Sequence, residues 1–180
     1  MPANAANKAP VAYALVTGAS TGIGLELARL FATHGIPLIL SASPRSVAAL
    51  QETAQQWQTQ YGVDVRVFCT DLGQAGAADT LVAWVQTQGL QVDYLVNNAG
   101  FGICEQALQD YDATRFAHML QVNMNTPSLL IRHFLPAMLA RGSGRILNVS
   151  SIAGYIYPHH QQGAYAATKA YMVSLSESMA

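Results

Sequence analysis

The chain has 180 residues, 51% of them hydrophobic and 11% charged, which suits one domain with a large core. Nine Lys+Arg stand against ten Asp+Glu with no basic run, which argues against nucleic acid and anionic membrane as partners. No stretch approaches ~18 apolar residues, the first ten residues lack a signal-peptide core, and the two cysteines have no metal-type spacing, so a reduced, cytoplasmic protein is expected.

Short apolar runs alternate with longer helical patterns along the chain. Residues 11–17, VAYALVT, make a strand-length run closed by Gly18. Ile23, Leu27, Leu30 and Phe31 then recur at helical spacing as far as His34, with Gly35 as a stop signal. A second strand over 37–41 precedes a helix over 47–61 that Gly62 closes, and a third over 63–69 precedes a helix near 75–88 that Gly89 closes. The fourth strand, 92–97, is followed by two helical stretches, 112–125 and 127–141, with Pro136 a possible bend in the second. A fifth strand over 145–151 leads to a last helix that holds Tyr165. Strands spaced by helices of this length imply right-handed crossovers and a parallel sheet covered on both faces, a doubly wound Rossmann-type α/β fold. Its ligand belongs beyond the carboxyl ends of the strands.

The first strand runs directly into TGASTGIG, residues 17–24, and then into a helix. Gly18, Gly22 and Gly24 form G-x-x-x-G-x-G. Glycines let the backbone turn tightly and approach a pyrophosphate, while the helix N-terminus offers unpaired N–H groups and a positive dipole end. Ser20 and Thr21 add hydroxyls. A glycine-rich turn with no ligand is the plain alternative, and the motif alone does not name the nucleotide.

Three further stretches combine with this loop: NNAG (97–100) after the fourth strand, NVSS (148–151) ending the fifth, and YAATK (165–169) in the last helix. In this order and at these intervals, from residue 11 onward, the set resembles the short-chain dehydrogenase/reductase family, whose members transfer hydride between a nicotinamide dinucleotide and a carbonyl or alcohol. The resemblance implies that Tyr165 is the general acid/base. A lysine at i+4 shares its helix face, and the Lys169 ammonium favours the phenolate, drawing a phenol pKa near ~10 toward working pH. Lys169 should also bond the nicotinamide ribose. Ser151 matches the serine that bonds the substrate oxygen; Ser150 competes for that role, and the S-x-x-G spacing to Gly154 selects Ser151. Asn123 matches the asparagine that bends its helix and holds a water near the lysine, with Asn125 the competitor. Cofactor contacts are implied for Gly18, Ser20, Thr21, Gly22, Ile23 and Gly24, for Asp71 and Leu72, and for Asn97, Ala99 and Gly100. Asp71 is expected at the adenine ring, with an N-cap of the next helix as its alternative. Asn98 is expected to tie neighbouring strands together.

For the cofactor, an NAD site places a carboxylate after the second strand. No Asp or Glu lies between Glu26 and Glu52; Ser43 and Arg45 stand there instead, which favours NADPH/NADP+ over NAD. The interval from Ser151 to Tyr165 is one residue longer than is usual in the family, and the extra residue falls in the loop 155–164, which reshapes the substrate wall. His159 and His160 in that loop lack metal-ligand companions and read as exposed. The resemblance also implies a small-molecule carbonyl or alcohol substrate, with a hint of lipid-like or steroid ketones. It implies a homodimer or homotetramer formed through the last two long helices. The last helix has no stop signal before Ala180, and family members continue with further strands and a substrate lid, so these residues are expected to lack that part. A non-catalytic dinucleotide-binding sensor or fragment on the same fold is the alternative function.

Overall fold

The computed structural model describes residues 11–103, 106–156 and 161–180. Five strands, β1 (Ala12–Thr17), β2 (Leu38–Ala42), β3 (Val65–Cys69), β4 (Gln91–Asn97) and β5 (Arg145–Asn148), form one parallel sheet in the order β3-β2-β1-β4-β5. Side chains alternate across it, as a period of two requires. On one face Leu15, Ile39 and Leu95 pack against α3 (Ala77–Thr87) and α5 (Thr126–Arg141), chiefly through Leu81, Val85, Leu130 and Phe134. On the other, Ala14, Val16, Leu40 and Val96 meet α1 (Gly22–Thr33) and α2 (Val47–Tyr61) through Ala28, Ala32, Leu50 and Trp57. Central strands buried on both faces are why VAYALVT and VDYLVN read as continuous apolar runs. The doubly wound Rossmann-type expectation holds.

The ends of several elements shift for identifiable reasons. β3 begins at Val65, because the ladder starts where Leu38 N donates to Asp64 O. β5 stops at Asn148: Val149 N still donates to Asn97 O, and the two serines beyond it then leave the ladder. The two helical stretches after β4 are joined. α4 (Ala113–Leu120) runs through a π-helical turn, Gln121–Asn125, straight into α5. Pro127 lies in the first turn of α5, where a missing N–H costs nothing, and the helix continues through Pro136. α6 (Gly163–Glu177) starts two residues before Tyr165.

The chain steps outward from β1 to β3 and then returns to the other side of β1. Connections therefore leave β1 and β4 in opposite directions, and their loops part above the sheet. That opens a crevice at the carboxyl ends, where ligands bind in open α/β sheets.

Candidate active site

The loop after β1 is closed against the loop after β4. Thr17 Oγ1 accepts from Asn98 N at 3.0 Å and Ala99 N at 3.1 Å. Asn98 Nδ2 donates to Thr17 O at 3.0 Å and Gly18 O at 3.1 Å. Gly18 has φ +65°, and a Cβ there would stand 2.9 Å from Ala99 Cα. A Cβ on Gly24 would collide with Gly18 O and Asn98 Nδ2, so the first turn of α1 can sit on the loop only because that residue is glycine. The N-cap residue Thr21 makes no side-chain capping bond, leaving the first N–H groups of α1 available to an anion.

The opposite wall is made of side chains. Lys169, 6% exposed, donates from Nζ to Val149 O at 2.9 Å, and its Nζ lies 5.9 Å from the centre of the Tyr165 ring. Burial lowers the Lys169 pKa below the ordinary lysine value. Asn123 is buried within the π-helical turn. Its Nδ2 donates to Phe101 O at 2.9 Å and Thr168 Oγ1 at 3.0 Å, and its Oδ1 accepts from Phe101 N at 3.1 Å. Thr168 in turn donates to Tyr165 O. A Cβ on Gly100 would be 3.1 Å from Asn123 Oδ1 and 3.3 Å from Lys169 Nζ, so these groups converge over a bare backbone.

Between the walls lies a cleft of about 350 Å3, lined by Gly18, Ser20, Thr21, Ile23, Asn98, Ala99, Gly100, Val149, Ser150, Tyr165 and Lys169. Ser150 thus borders it, while Ser151, the serine favoured by the spacing, is the next residue along the chain and is not among the lining residues. Their bonding also separates them. Ser150 Oγ donates to Lys169 O at 2.8 Å, whereas Ser151 Oγ accepts from Ala153 N and has no acceptor for its own proton among the described residues. The S-x-x-G spacing acquires a cause here: a Cβ on Gly154 would lie 2.9 Å from the Lys169 carbonyl carbon, so the turn after Ser151 rests flat on α6.

Some expected residues sit elsewhere. Asn97 turns its side chain into the sheet, where Nδ2 donates to Asn148 Oδ1 at 2.9 Å; its cleft-facing neighbour is Asn98, which does tie the strands as expected. Asn97 alternates with the cleft-lining residues because it still belongs to β4. Leu72 is core: it is buried among the residues under α3 and α5, since the chain dives there to begin the crossover. Asp71 does not cap α3, whose N-cap is Gly76. Its Oδ1 accepts from Gly73 N at 3.0 Å and His118 Nε2 at 2.7 Å. Partial burial raises the Asp71 pKa, but these bonds and Gln74 outweigh it and hold the carboxyl below its ordinary value. Ser43 and Arg45 are exposed just past β2, and Arg45 makes no ion pair among the described residues. His159, His160 and Cys104 lie outside the described residues. Among the described residues no group of three His, Cys, Asp or Glu could hold a metal ion, and no helix is long and apolar enough to cross a membrane. His118 and Thr168 carried no sequence signal that separates them from ordinary helix residues.

Residues 12–180 match the family model of the short chain dehydrogenases. The chain belongs to that family. It is 32% identical over 170 residues to a very-long-chain 3-oxoacyl-CoA reductase-like protein of Arabidopsis thaliana, covering 93% of this chain and 53% of the relative. Among solved structures it resembles a metagenomic short-chain oxidoreductase in complex with NADP, with TM-score 0.84 and 34% identity, over 95% of this chain and 76% of that one. L-sorbose reductase from Gluconobacter frateurii, complexed with NADPH and L-sorbose, gives TM-score 0.83 and 30% identity over 94% of this chain and 63% of that one. The chain spans about half the length of the curated relatives it matches. The residues of its cleft suit a nicotinamide dinucleotide: a turn closed tightly by Gly18 and Gly24 under an uncapped helix start on one side, and a buried ammonium beside a phenol on the other.

Proposed function

We propose that this short-chain dehydrogenase interconverts a carbonyl and a secondary alcohol with a nicotinamide dinucleotide, NADPH in preference to NADH. The observation that carries the reading is the buried Lys169 ammonium held 5.9 Å from the Tyr165 ring, in the same cleft as the glycine-rich turn after β1. When bound, the cofactor supplies or accepts the hydride at the carbonyl carbon. In reduction Tyr165 Oη delivers the proton to the carbonyl oxygen. Lys169, anchored on Val149 O, stabilises the negative charge left on the phenol oxygen. Ser151, whose hydroxyl proton has no acceptor among the described residues, donates to the substrate oxygen and stabilises charge developing there. Asn123 fixes the loop after β4 against α6 and so sets the distance between the dinucleotide wall and Tyr165.

The preference for NADPH rests on Ser43 and Arg45 standing exposed past β2 where an NAD site would place a carboxylate. The NADP and NADPH bound to the structural relatives lend support. Ile152, Tyr155 and Ile156, all exposed just after Ser151, support an apolar ketone as substrate. Self-association through α5 and α6 to a homodimer or homotetramer accords with exposed Leu139 and Tyr171 on those helices.

The deciding experiment follows NADPH binding by nicotinamide fluorescence and its oxidation against a panel of apolar and polar ketones, for the wild type and Tyr165→Phe. The variant should lose about 10²–10⁴-fold in kcat and keep its NADPH affinity within about twofold. A variant that retains more than a few per cent of kcat would remove Tyr165 from this role.

A further inference from the structure

His118 lies outside the cleft, yet it holds Asp71, the residue that the family resemblance puts at the adenine ring. It belongs to α4 and reaches back 47 residues to Asp71, in the loop after β3. A carboxylate has two oxygens, each with room for about two donors, and when ionised it only accepts. Oδ1 is filled, by Gly73 N at 3.0 Å and by His118 Nε2 at 2.7 Å. Oδ2 carries one long bond, from the exposed Gln74 Nε2 at 3.2 Å, and so keeps an open acceptor position. Because Asp71 is ionised, His118 Nε2 must carry the hydrogen.

The imidazole is itself confined. On one side is Gly73, where a Cβ would overlap the ring. On another is Phe101, whose ring centre lies 5.5 Å away at an interplanar angle of 41°. The main chain of Phe101 is clamped in both directions by Asn123. Contacts therefore run without a gap from Asp71 through His118 and Phe101 to the helix face beside Tyr165 and Lys169.

We infer that His118 is a positioning residue for the base of the dinucleotide. By occupying Oδ1 of Asp71 jointly with Gly73 N, it presents Oδ2 as the acceptor for the exocyclic amine of adenine. The inference rests on the proposed function, because it needs a dinucleotide in the crevice. Without His118 the carboxylate can rotate away from the base, so that both its hydrogen bond to the amine and its repulsion of an oxygen at that ring position weaken.

The test measures Kd by nicotinamide fluorescence for NADPH and for its hypoxanthine analogue, in which a carbonyl oxygen replaces the amine and would face Asp71 Oδ2. The wild type should bind the analogue about tenfold more weakly, as expected for one charged hydrogen bond exchanged for a repulsion. In His118→Ala that ratio should fall to within about twofold, mainly through weaker NADPH binding, while kcat at saturating NADPH stays within about twofold. His118→Gln, which can still donate to Oδ1, should recover most of the ratio. Gly73→Ala, which displaces the ring without altering it, should reproduce the alanine variant and guards against a folding defect at residue 118. A ratio unchanged in His118→Ala, or an equal loss for both dinucleotides, would mean that His118 only supports the fold. A wild type that binds both dinucleotides equally overturns the inference and leaves the cofactor reading intact. A wild type that binds neither overturns the function and the inference together.

Discussion

On its β1 side the crevice is bounded by main chain, with Gly18 and Gly24 meeting Asn98 and Ala99 at distances that leave no room for a Cβ. On its α6 side it is bounded by Ser150, Tyr165 and Lys169, with Asn123 behind them, and Lys169, Ser150 and Asn123 hold their positions through specific donors and acceptors. The first wall depends on what is missing from the residues and should fail sterically. The second depends on charge and hydrogen bonds, and it should fail through protonation and lost bonds without losing the fold. In the proposed function the first wall serves the dinucleotide and the second serves chiefly the chemistry on the substrate.

The largest effect should come from adding one methyl group to the first wall. Gly24→Ala should abolish detectable NADPH binding and lower stability by about 1–3 kcal/mol, because its Cβ meets backbone and a bonded amide. Gly22→Ala is the internal control. Its φ is +58° but nothing lies within 4 Å of the added Cβ, so it should cost only the ~1–2 kcal/mol of a left-handed residue and leave binding measurable. Urea denaturation and dinucleotide titration of both variants check the contrast. Normal binding by Gly24→Ala would break it.

Next comes Lys169→Met on the second wall, expected to lower kcat by at least ~10²-fold while leaving the chain folded. The pH dependence of its stability gives the sharper readout. Burial depresses the native pKa of Lys169 below the unfolded value, so the unfolded chain binds more protons between the two values and wild-type stability rises with pH through that window. Methionine removes this term. The stability difference, variant minus wild type, should therefore be most favourable to the variant near neutral pH and decline as pH climbs toward 10.5. A difference that stays flat across that range would show that the ammonium is not desolvated.

The smallest effect is expected outside both walls. Arg45→Ala should raise the Kd for NADPH about three- to tenfold and leave NADH nearly unchanged, since an exposed guanidinium contributes only about 1 kcal/mol to a phosphate contact. Equal losses for the two cofactors, or a wild type that prefers NADH, would reverse the cofactor preference.

Much of this comparison was legible before the fold was known. The main-chain wall shows in the letters, because glycine is the only residue without a Cβ and its spacing after an apolar run marks the turn. Tyr165 and Lys169 were equally visible, since an i,i+4 spacing puts both on one helix face wherever the helix lies. The side-chain wall was legible only in part. Spacing to Gly154 favours Ser151 over Ser150, whereas the bond from Ser150 to Lys169 O and the packing of Gly154 on α6 appear only in the fold. Asn97 is expected beside the cofactor, and its side chain reaches across the seam between β4 and β5 to Asn148, because an asparagine at a strand end can turn to either face.

The sequence by itself determined the alternation of strand and helix, the glycine turn and the order of the motifs, because each is set by local geometry: two-residue pleats, 3.6-residue turns and the absence of a Cβ. Tertiary structure alone decided which donors are spent and which are spare. Asn98 closes on Thr17 and Gly18 across 81 and 80 residues, Asn123 on Thr168 across 45, and His118 on Asp71 across 47. Partners that far apart meet only after the crossovers have stacked the helices on the sheet. A polar side chain takes whichever partner that stacking delivers, and nothing in its own neighbourhood of sequence specifies which one that is.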